Sequence, residues 1–343
     1  MLVTGGCGFL GSNLCLYYKD KGANVIALDS LAKHEFKRSP YMKPEVRNYN
    51  RRLLESRGVK VVVEDIRNPQ ALLEYAKDRD YLCHTAAQPA MTISWEDPEL
   101  DFMTNTFGTF NVLETARKLE IPVALCSSIH TYGPDRINSG LAEQTTRYSR
   151  IPSMIGEDEP LLQGIVTPLH ASKRSNEIYA QCYIDTYKLR VACFRLTGLY
   201  GPYQFGGEDH GWVANFVIRT IIGEPITIFG TGKQLRDILF ASDVATAFDL
   251  FYEKSVPGIF LLGGGEENMI SLLESIDLIA EKLGRRPHVR FEPERLGDLK
   301  YFVADSSRFR RLTGWVPTVP PAEGIRRLID WAKANDSLFT KTG

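Results

Sequence analysis

The chain lacks an excess of charge of either sign. Its 343 residues include 41 Lys and Arg and 42 Asp and Glu, so that the formal net charge at pH 7 is −1. A neutral surface offers no general attraction to nucleic acid or to an anionic membrane. We therefore expect neither partner, and an anionic ligand would have to be bound by individually placed basic side chains.

Cysteine and histidine are few and scattered. None of the six cysteines forms a Cys-x-x-Cys pair, and none of the six histidines forms a His-x-x-x-His pair. Zinc sites and redox motifs use spacings of that kind. We therefore predict no protein-bound metal and expect the cysteines to be free thiols of a reducing compartment.

Long apolar runs are absent as well. No stretch reaches the length needed to cross a bilayer. The opening residues, Met-Leu-Val-Thr-Gly-Gly, have no basic region of the kind that begins a secretory signal. The sequence thus predicts a soluble, cytoplasmic protein.

What the first 200 residues do contain is an alternation of short apolar runs with amphipathic stretches. This alternation is typical of a doubly wound α/β domain, in which helices cover both faces of a parallel sheet. It predicts strands at 1–4, 23–28, 59–63, 80–84, 121–126 and 190–195, and helices at 11–21, 69–78, 99–119 and 171–188.

The composition changes after residue 196, where glycine and proline crowd a short interval and predict loops. A further strand at 258–262 is expected to rejoin the sheet. We therefore predict a sheet domain at 1–196 plus about 238–263, and a smaller, interleaved C-terminal lobe at 197–237 plus 264–335.

A glycine-rich loop separates the first predicted strand from the first helix. Gly5 allows a tight turn, Gly8 lets the backbone approach a pyrophosphate, and Gly11 permits close packing of helix on strand. The amide groups and the dipole of the helix then face the phosphates, with Phe9 and Leu10 in its first turn. The pattern predicts a dinucleotide-binding loop.

Asp29 ends the second strand, eighteen residues after Gly11. A carboxylate in that place accepts hydrogen bonds from both ribose hydroxyls and repels a 2′-phosphate, which favours NAD over NADP. Lys33 and Lys37 follow closely, so a basic pocket for the 2′-phosphate of NADP remains the alternative.

Two further segments follow strands of the predicted sheet. Asp65 could bond the adenine amino group while Ile66 packs on the ring, or Asp65 could cap the helix that begins near Asn68. The run Ala86-Ala87-Gln88 supplies small residues where the sheet passes near the cofactor.

Several motifs together resemble those of one known family. They are Asn105 with Gly108-Thr109, Ser127-Ser128 before Tyr132-Gly133, Arg195 before Tyr200-Gly201-Pro202, and Gly232-Lys233-Gln234-Leu235-Arg236-Asp237. The chain resembles the extended short-chain dehydrogenase/reductase family over nearly its whole length, and within it the NAD-dependent nucleotide-sugar epimerases and dehydratases. The resemblance implies a doubly wound parallel Rossmann sheet, NAD as cofactor and a nucleoside-diphosphate sugar as substrate. Residues 86–92, 204–205 and 210–213 indicate one epimerase subfamily.

The chain departs from that family at the catalytic positions. The family has a Ser or Thr after the Ser-Ser pair and a Tyr four residues before a Lys, and these places hold Ile129 and Leu169. By resemblance Lys173 is retained to hold the nicotinamide ribose. Ser128 of the Ser-Ser pair is kept as a further catalytic candidate. The proton-exchanging group is left open. It could be His130 or His170, each next to a lost catalytic position; it could be a group on the substrate side; or the hydride chemistry could be absent. The substrate-side candidates are Tyr132, His210, Glu208 and Asp209.

The resemblance also implies a set of substrate-binding residues. Arg236 is expected to bind the diphosphate, and Arg295 with Asp298 the phosphate and ribose; the alternative for Arg236 is a surface ion pair with Asp237. A guanidinium group suits this task because its planar fork matches phosphate oxygens. The remaining expected contacts are Thr197, Gln204, Trp212, Val213, Thr227 and Phe229.

The function expected from these residues is epimerisation by transient oxidation and re-reduction. A dehydratase or decarboxylase using the same first oxidation is the alternative within the family. A catalytically silent protein that binds NAD or a nucleotide-sugar is the alternative of another class, because of Ile129 and Leu169. We also expect a homodimer, with the stretch 99–119 either at its interface or on the sheet.

Overall fold

The computed structural model of the chain describes residues 1–32, 34 and 44–339. Lys33 and Lys37, on which the NADP alternative depends, lie outside the described residues. In chain order the strands are β1 (Leu2–Thr4), β2 (Ile26–Asp29), β3 (Lys60–Val63), β4 (Leu82–His84), β5 (Val123–Ser128), β6 (Ala142–Glu143), β7 (Tyr148–Ser149), β8 (Val191–Leu196), β9 (Gly198–Tyr200), β10 (Ile226–Phe229), β11 (Leu235–Phe240), β12 (Gly258–Leu262), β13 (Met269–Ser271), β14 (Val289–Glu292) and β15 (Tyr301–Phe302).

The α-helices cover these strands and connect them. They are α1 (Phe9–Asp20), α2 (Pro44–Ser56), α3 (Pro69–Ala76), α4 (Met91–Glu96), α5 (Pro98–Asp101), α6 (Gly108–Leu119), α7 (Pro134–Asn138), α8 (Pro168–Tyr187), α9 (Trp212–Ile222), α10 (Ala241–Lys254), α11 (Leu272–Leu283), α12 (Ser307–Thr313) and α13 (Pro321–Ala334). Within the described ranges, no helix is long and apolar enough to cross a membrane.

A seven-stranded parallel sheet organises the structure, in the order β12-β8-β5-β4-β1-β2-β3. All seven predicted strands are present, with boundaries shifted by up to three residues. The strand order reverses between β1 and β4, and in open sheets of this kind ligands bind beyond the carboxyl ends of the strands at that point. The predicted doubly wound fold is confirmed.

Two apolar cores cover the two faces of this sheet. Neighbouring strand residues point to opposite faces, so that Leu2 packs in one core and Val3 in the other. The core with Val3 includes Leu14 of α1 and Phe248 of α10. Burial on both faces explains why the strands read as short continuous apolar runs.

The rest of the chain builds smaller sheets beside the large one. Strand β11 pairs with β9, β13 and β15, while β10 pairs with β14. Helices α9 and α13 pack against them in a further apolar core. The predicted division of the chain into two interleaved domains stays a prediction.

Two predicted helices differ from those of the structure. The predicted helix 171–188 begins earlier, at Pro168, because Thr167 and Pro168 supply an N-cap and a proline at the first helical position. The predicted helix 99–119 is interrupted: α5 passes into a π-helix at Phe102–Phe107 before α6 begins. The backbone N–H of Gly108 accordingly donates to the carbonyl of Met103, five residues back.

The third glycine of the loop is required by packing. A Cβ at Gly11 would lie 2.0 Å from the carbonyl oxygen of Gly5, an impossible contact with backbone. We predict that Gly11→Ala lowers the free energy of unfolding by about 3 kcal/mol, the upper end of overpacking effects. Gly156→Ala is the matched control, since in the part of the chain that the structure describes no atom beyond the adjacent residues lies within 4 Å of a Cβ there. Equal thermal melting of the two variants would contradict this explanation.

Candidate active site

One cleft of about 480 Å³ lies at the carboxyl ends of the strands. It runs from the glycine-rich loop to the arginines of the smaller sheets. The predicted site residues that line it are Gly8, Phe9, Leu10, Ala87, Ser128, His130, Lys173, Thr197, Gln204, Trp212, Thr227, Phe229, Arg236, Arg295 and Asp298. The other predicted site residues lie outside its wall: Gly5, Gly11, Asp29, Asp65, Ile66, Ala86, Gln88, Asn105, His170 and Val213.

The glycine-rich loop forms a cradle at one end of the cleft. Gly5 has a φ of +65°, and a Cβ there would lie 2.5 Å from the backbone nitrogen of Ala86. Gly8 is the N-cap of α1, and among the described residues the only atom near a Cβ at Gly8 would be the Gly5 oxygen at 3.0 Å. The space beside Gly8 is therefore open to the cleft, where a side chain would occupy the place of a pyrophosphate.

Asp29 stands beside this cradle at the end of β2. One carboxylate oxygen accepts from the backbone N–H of Cys7 at 2.9 Å and the other from that of Leu31 at 2.7 Å. Each oxygen keeps a second lone pair. The carboxylate is thus fixed in orientation and can still accept the ribose hydroxyls of a dinucleotide.

Asp65 and Ile66 have contacts of their own. The Asp65 carboxylate pairs with Arg67 at 2.7 Å, and Ile66 lies in the core against Gly108. Asp65 does not cap α3 through its side chain, since Asn68 is the N-cap and accepts from Ala71. The capping alternative is therefore wrong, while the adenine contact stays a prediction.

Asn105 is bonded to the loop that follows β4, without lining the cleft itself. Its amide oxygen accepts from the backbone N–H of Gln88 at 2.8 Å, and its amide nitrogen donates to the Gln88 carbonyl at 2.9 Å. The same nitrogen donates to the buried carboxylate of Asp101 at 2.9 Å. Burial raises the pKa of Asp101. Asn105 and Gln88 thus support the cofactor end of the cleft from outside its wall.

Lys173 reaches the cleft from the second turn of α8. Its ammonium donates to the carbonyl of Cys126 at 3.2 Å, and burial lowers the pKa of Lys173. The remaining N–H donors of the ammonium are available for a ligand hydroxyl. This is the geometry expected of a residue that holds a ribose.

Ile129 and Leu169 both line the cleft. They form an apolar surface on the same wall as Lys173, at the two positions where the sequence departs from the motifs that it resembles. Ser128, the residue before Ile129, also lines the cleft, and its hydroxyl caps the short 3₁₀ turn Ile129–Thr131 by accepting from the backbone N–H of His130 at 3.2 Å. Ser128 retains its own O–H to donate.

The two candidate histidines lie in different places. His130 lines the cleft, whereas His170 is completely buried behind the wall, so the structure does not support direct contact of His170 with a ligand. Their rings meet edge to face with centroids 5.5 Å apart. Burial lowers the pKa of His130 to about 3 and that of His170 to about 4. Both are neutral at pH 7.

Among the substrate-side candidates for proton exchange, Tyr132 is excluded. Its hydroxyl donates to the carbonyl of Gly156 at 3.1 Å and accepts from Arg195 at 3.0 Å, away from the cleft wall. Glu208, Asp209 and His210 do line the cleft. Glu208 accepts from Arg219 and Thr227, each at 3.0 Å.

Two arginines lie at the far end of the cleft. Arg236 pairs with Asp298 at 3.2 Å, and Arg295 pairs with Asp209 at 3.2 Å while lying 3.7 Å above the ring centre of Phe229. Asp237 instead accepts from backbone N–H groups at 3.0 Å, so the predicted alternative of an ion pair between Arg236 and Asp237 is wrong. Val213, expected near this end, is buried in the core beneath it.

Sequence reasoning missed Glu177, a completely buried carboxylate on α8. It accepts from the Ser127 hydroxyl at 2.7 Å and from two nitrogens of Arg195, each at 2.9 Å. Arg174 adds a fourth bond at 2.9 Å. The available signal was its position four residues after Lys173, on one face of the same helix.

One family of known proteins matches most of the chain. The model of the NAD dependent epimerase/dehydratase family matches residues 1–263. The chain belongs to this family. The family prediction is confirmed, and NAD, the cofactor indicated by the glycine-rich loop and Asp29, is the cofactor of the family.

Individual members cover nearly the whole chain. The CDP-paratose 2-epimerase of Salmonella typhi is 30% identical over 97% of this chain and 99% of its own, and residues 86–92, 204–205 and 210–213 indicated that subfamily. The UDP-glucose 4-epimerase of Thermotoga maritima, solved with UDP-glucose, has a TM-score of 0.80 at 26% identity and covers 97% of this chain and 98% of its own. The UDP-glucose 4-epimerase of Thermus thermophilus, solved with NAD, has a TM-score of 0.77 at 29% identity with the same coverage.

The buried bonds of Glu177 give a prediction for stability. Glu177→Gln removes the charge that compensates Arg195 inside the protein, and breaking such a buried pair costs about 3 kcal/mol or more. Urea unfolding would measure this loss. Glu323→Gln is the control, because Glu323 pairs with Arg326 and Arg327 on the surface, where water screens the charges and the change should cost little. Equal losses in the two variants would contradict the structural role given to Glu177.

Proposed function

We propose that the chain is an NAD-dependent epimerase of a nucleoside-diphosphate sugar, similar in reaction to the CDP-paratose 2-epimerase that it resembles. The observation that carries this proposal is the single continuous cleft. It joins the glycine cradle and Lys173 at one end to Arg236 and Arg295 at the other. A cofactor and a sugar nucleotide bound in one cleft would have their reactive parts side by side.

The cofactor end has the groups that NAD requires. The N-terminus of α1 faces the pyrophosphate, Asp29 accepts the ribose hydroxyls of the adenosine half, and Lys173 holds the ribose of the nicotinamide half. Bound NAD supplies the acceptor, and then the donor, of the hydride. Gly5 and Gly11 act indirectly, by letting the loop and helix pack closely enough to form the cradle.

The other end has groups suited to a nucleoside diphosphate. Arg236 and Arg295 bind the phosphates, and Asp298 accepts from a ribose hydroxyl. Phe229 and Thr227 on β10 form a wall for the base. Thr197, Gln204 and Trp212 also line the cleft, and in this proposal they contact the sugar.

The reaction conserves atoms and electrons. Oxidation removes a hydride from a hydroxyl-bearing carbon of the sugar and a proton from its oxygen, and leaves a carbonyl group. Returning the hydride to the opposite face and the proton to the oxygen inverts the carbon. The enzyme thus needs one group that takes and returns a proton, while Ser128 donates a hydrogen bond to the reacting oxygen.

A second candidate function is a catalytically silent protein that binds NAD and a nucleotide-sugar. The observation that favours it is the apolar wall of Ile129 and Leu169, since neither side chain exchanges protons. Both functions predict binding of NAD and a nucleotide-sugar, but only the epimerase predicts turnover.

A panel of CDP-, UDP-, GDP- and dTDP-sugars tests the proposal. We expect NMR to detect an epimer of one of them without added reductant, together with a transient NADH absorbance. Binding of NAD and a nucleotide-sugar with neither product nor NADH would support the silent protein instead. A deoxy-keto or decarboxylated product would support the dehydratase or decarboxylase alternative.

A matched pair of variants checks the diphosphate site in the same assay. Arg236→Met should weaken nucleotide-sugar binding at least tenfold, about 1.4 kcal/mol, and leave NAD binding unchanged. Lys233→Met should alter neither, since Lys233 pairs with Glu143 outside the cleft.

We propose further that the protein is a homodimer. Helices α6 and α8 and the π-helix present exposed apolar residues, including Phe102, Phe110, Ile178 and Tyr179. The rings of Phe110 and Tyr179 contact each other across α6 and α8 with centroids 6.0 Å apart. A second copy related by a twofold axis would cover such a patch with the same residues.

Phe110→Glu should therefore convert the dimer to a monomer, because it places a charge in the apolar contact. Sedimentation equilibrium would measure the mass. Phe291→Glu is the control, another exposed phenylalanine on β14, and should leave the mass unchanged. A monomeric wild-type protein at all concentrations would contradict the dimer.

A further inference from the structure

The proposed epimerisation leaves open which side chain exchanges the proton, and the inference here rests on that proposed function. Among the described residues, the carboxylate, lysine and histidine side chains that line the cleft fall into two groups. Near the arginines, Glu208, Asp209 and Asp298 each accept from a guanidinium group, and His210 follows Asp209 in the segment that precedes α9, away from Lys173 and the glycine-rich loop in the sequence. Near the cofactor end lie Lys173 and His130.

Lys173 is the less suitable of these two. Its ammonium is bonded to the carbonyl of Cys126, and its expected task is to hold a ribose. The ring of His130 has no such bond: its nitrogen Nδ1 is buried and has no hydrogen-bond partner among the described residues. The side chain is nevertheless partly exposed and lines the cleft. Nε2 is thus the nitrogen left to face a ligand.

The position of the His130 ring in the fold also suits a proton-exchanging group. His130 follows Ser128 and Ile129 at the carboxyl end of β5. Its ring packs against His170, the neighbour in sequence of Leu169, so that it lies against the first turn of α8. This is the turn that carries Leu169 on the cleft wall and precedes Lys173.

His170, which packs against the His130 ring, is held in place by contacts of its own. The hydroxyl of Thr167 lies 2.6 Å from Nδ1 of His170, and the backbone N–H of Thr167 donates to the same nitrogen at 3.3 Å. Nε2 of His170 is buried without a partner among the described residues. On another side, a Cβ at Gly297 would lie 3.4 Å from Cε1 of His170, so the ring has little room to move.

We propose that His130, through Nε2, takes the proton of the sugar hydroxyl and returns it, and that His170 is a positioning residue that holds the His130 ring at the cleft. The hydride leaves the carbon that bears the hydroxyl group, and the O–H bond breaks at the same time. The electron pair of the O–H bond completes the carbonyl group. The proton then resides on Nε2 until the hydride returns. No additional reductant, oxidant or water is consumed.

The resting state of His130 agrees with this task. Burial, together with the nearby His170 and Arg236, lowers the pKa of His130, so that its imidazole is unprotonated at neutral pH, as a proton acceptor must be. The same lowering weakens the imidazole as a base and favours the return of the proton. A side chain that accepts and donates protons in a reaction contributes roughly 100-fold to 10,000-fold to the rate.

The test compares variants of the two histidines in the full chain with NAD and the nucleotide-sugar found in the panel. His130→Ala should lower kcat at least about 100-fold with KM and NAD binding little changed, and added imidazole should restore part of the turnover. His130→Gln, which fills the space but does not titrate, should be equally slow and should melt like the wild type.

His170→Ala should behave differently, because it changes the environment of His130 and not the proton-exchanging group. We expect kcat to fall about tenfold, no rescue by imidazole, and a rise in the pH at which activity is half lost on the acid side. NMR titration of labelled histidine in the protein without substrate gives an independent readout. Removal of the His170 ring should raise the pKa of His130, since water then reaches Nδ1.

The outcomes separate the two proposals. An active wild type with a fully active His130→Gln overturns the assignment of the proton to His130 and leaves the epimerase proposal standing. Identical kinetics, pH profile and NMR titration in His170→Ala and wild type overturn the positioning role. A wild type that binds NAD and nucleotide-sugars but turns over none of them overturns the proposed function and the proton assignment together.

Discussion

The buried carboxylate of Glu177 holds together the elements that carry the reactive groups. Its bonds to Ser127 and Arg195 join α8 to β5 and β8. Ser127 immediately precedes Ser128, and Glu177 lies one helical turn beyond Lys173. Because the carboxylate is inside the protein, the positions of its partners are strongly constrained. If one of these hydrogen bonds is lost, the free-energy cost of removing the carboxylate from water is no longer compensated. The wall of the cleft thus depends on a carboxylate that does not itself line the cleft.

A similar division between support and contact occurs at the cofactor end. Asn105 bonds both backbone groups of Gln88 and reaches Asp101 with its remaining donor. Asn105 makes these bonds from the π-helix, while the α-helix that follows it packs on the sheet. Resemblance to the family predicted that Asn105 binds the cofactor, and the structure shows Asn105 bonded to the loop after β4.

The parts of the molecule that the sequence predicts well are those governed by local pattern. The strands follow from continuous apolar runs, and the glycine-rich loop follows from three glycines whose spacing has one steric explanation. The interruption of the predicted helix 99–119 was not predictable, since a π turn leaves no apolar period of its own. Glu177 escaped notice because its importance arises from β5 and β8, which are distant in sequence. His170 and His130 were equivalent as neighbours of lost positions, and only packing distinguishes the buried ring from the one at the cleft.

The ion pairs at the far end of the cleft suit the diphosphate of the proposed substrate, in a chain without excess positive charge. Arg236 and Arg295 already have the carboxylates of Asp298 and Asp209 as partners. An incoming diphosphate therefore exchanges one anion for another, and its binding free energy is the difference between two sets of charge-assisted bonds. Under the proposed function, the two arginines would therefore favour an anion whose shape lets it replace both carboxylates at once.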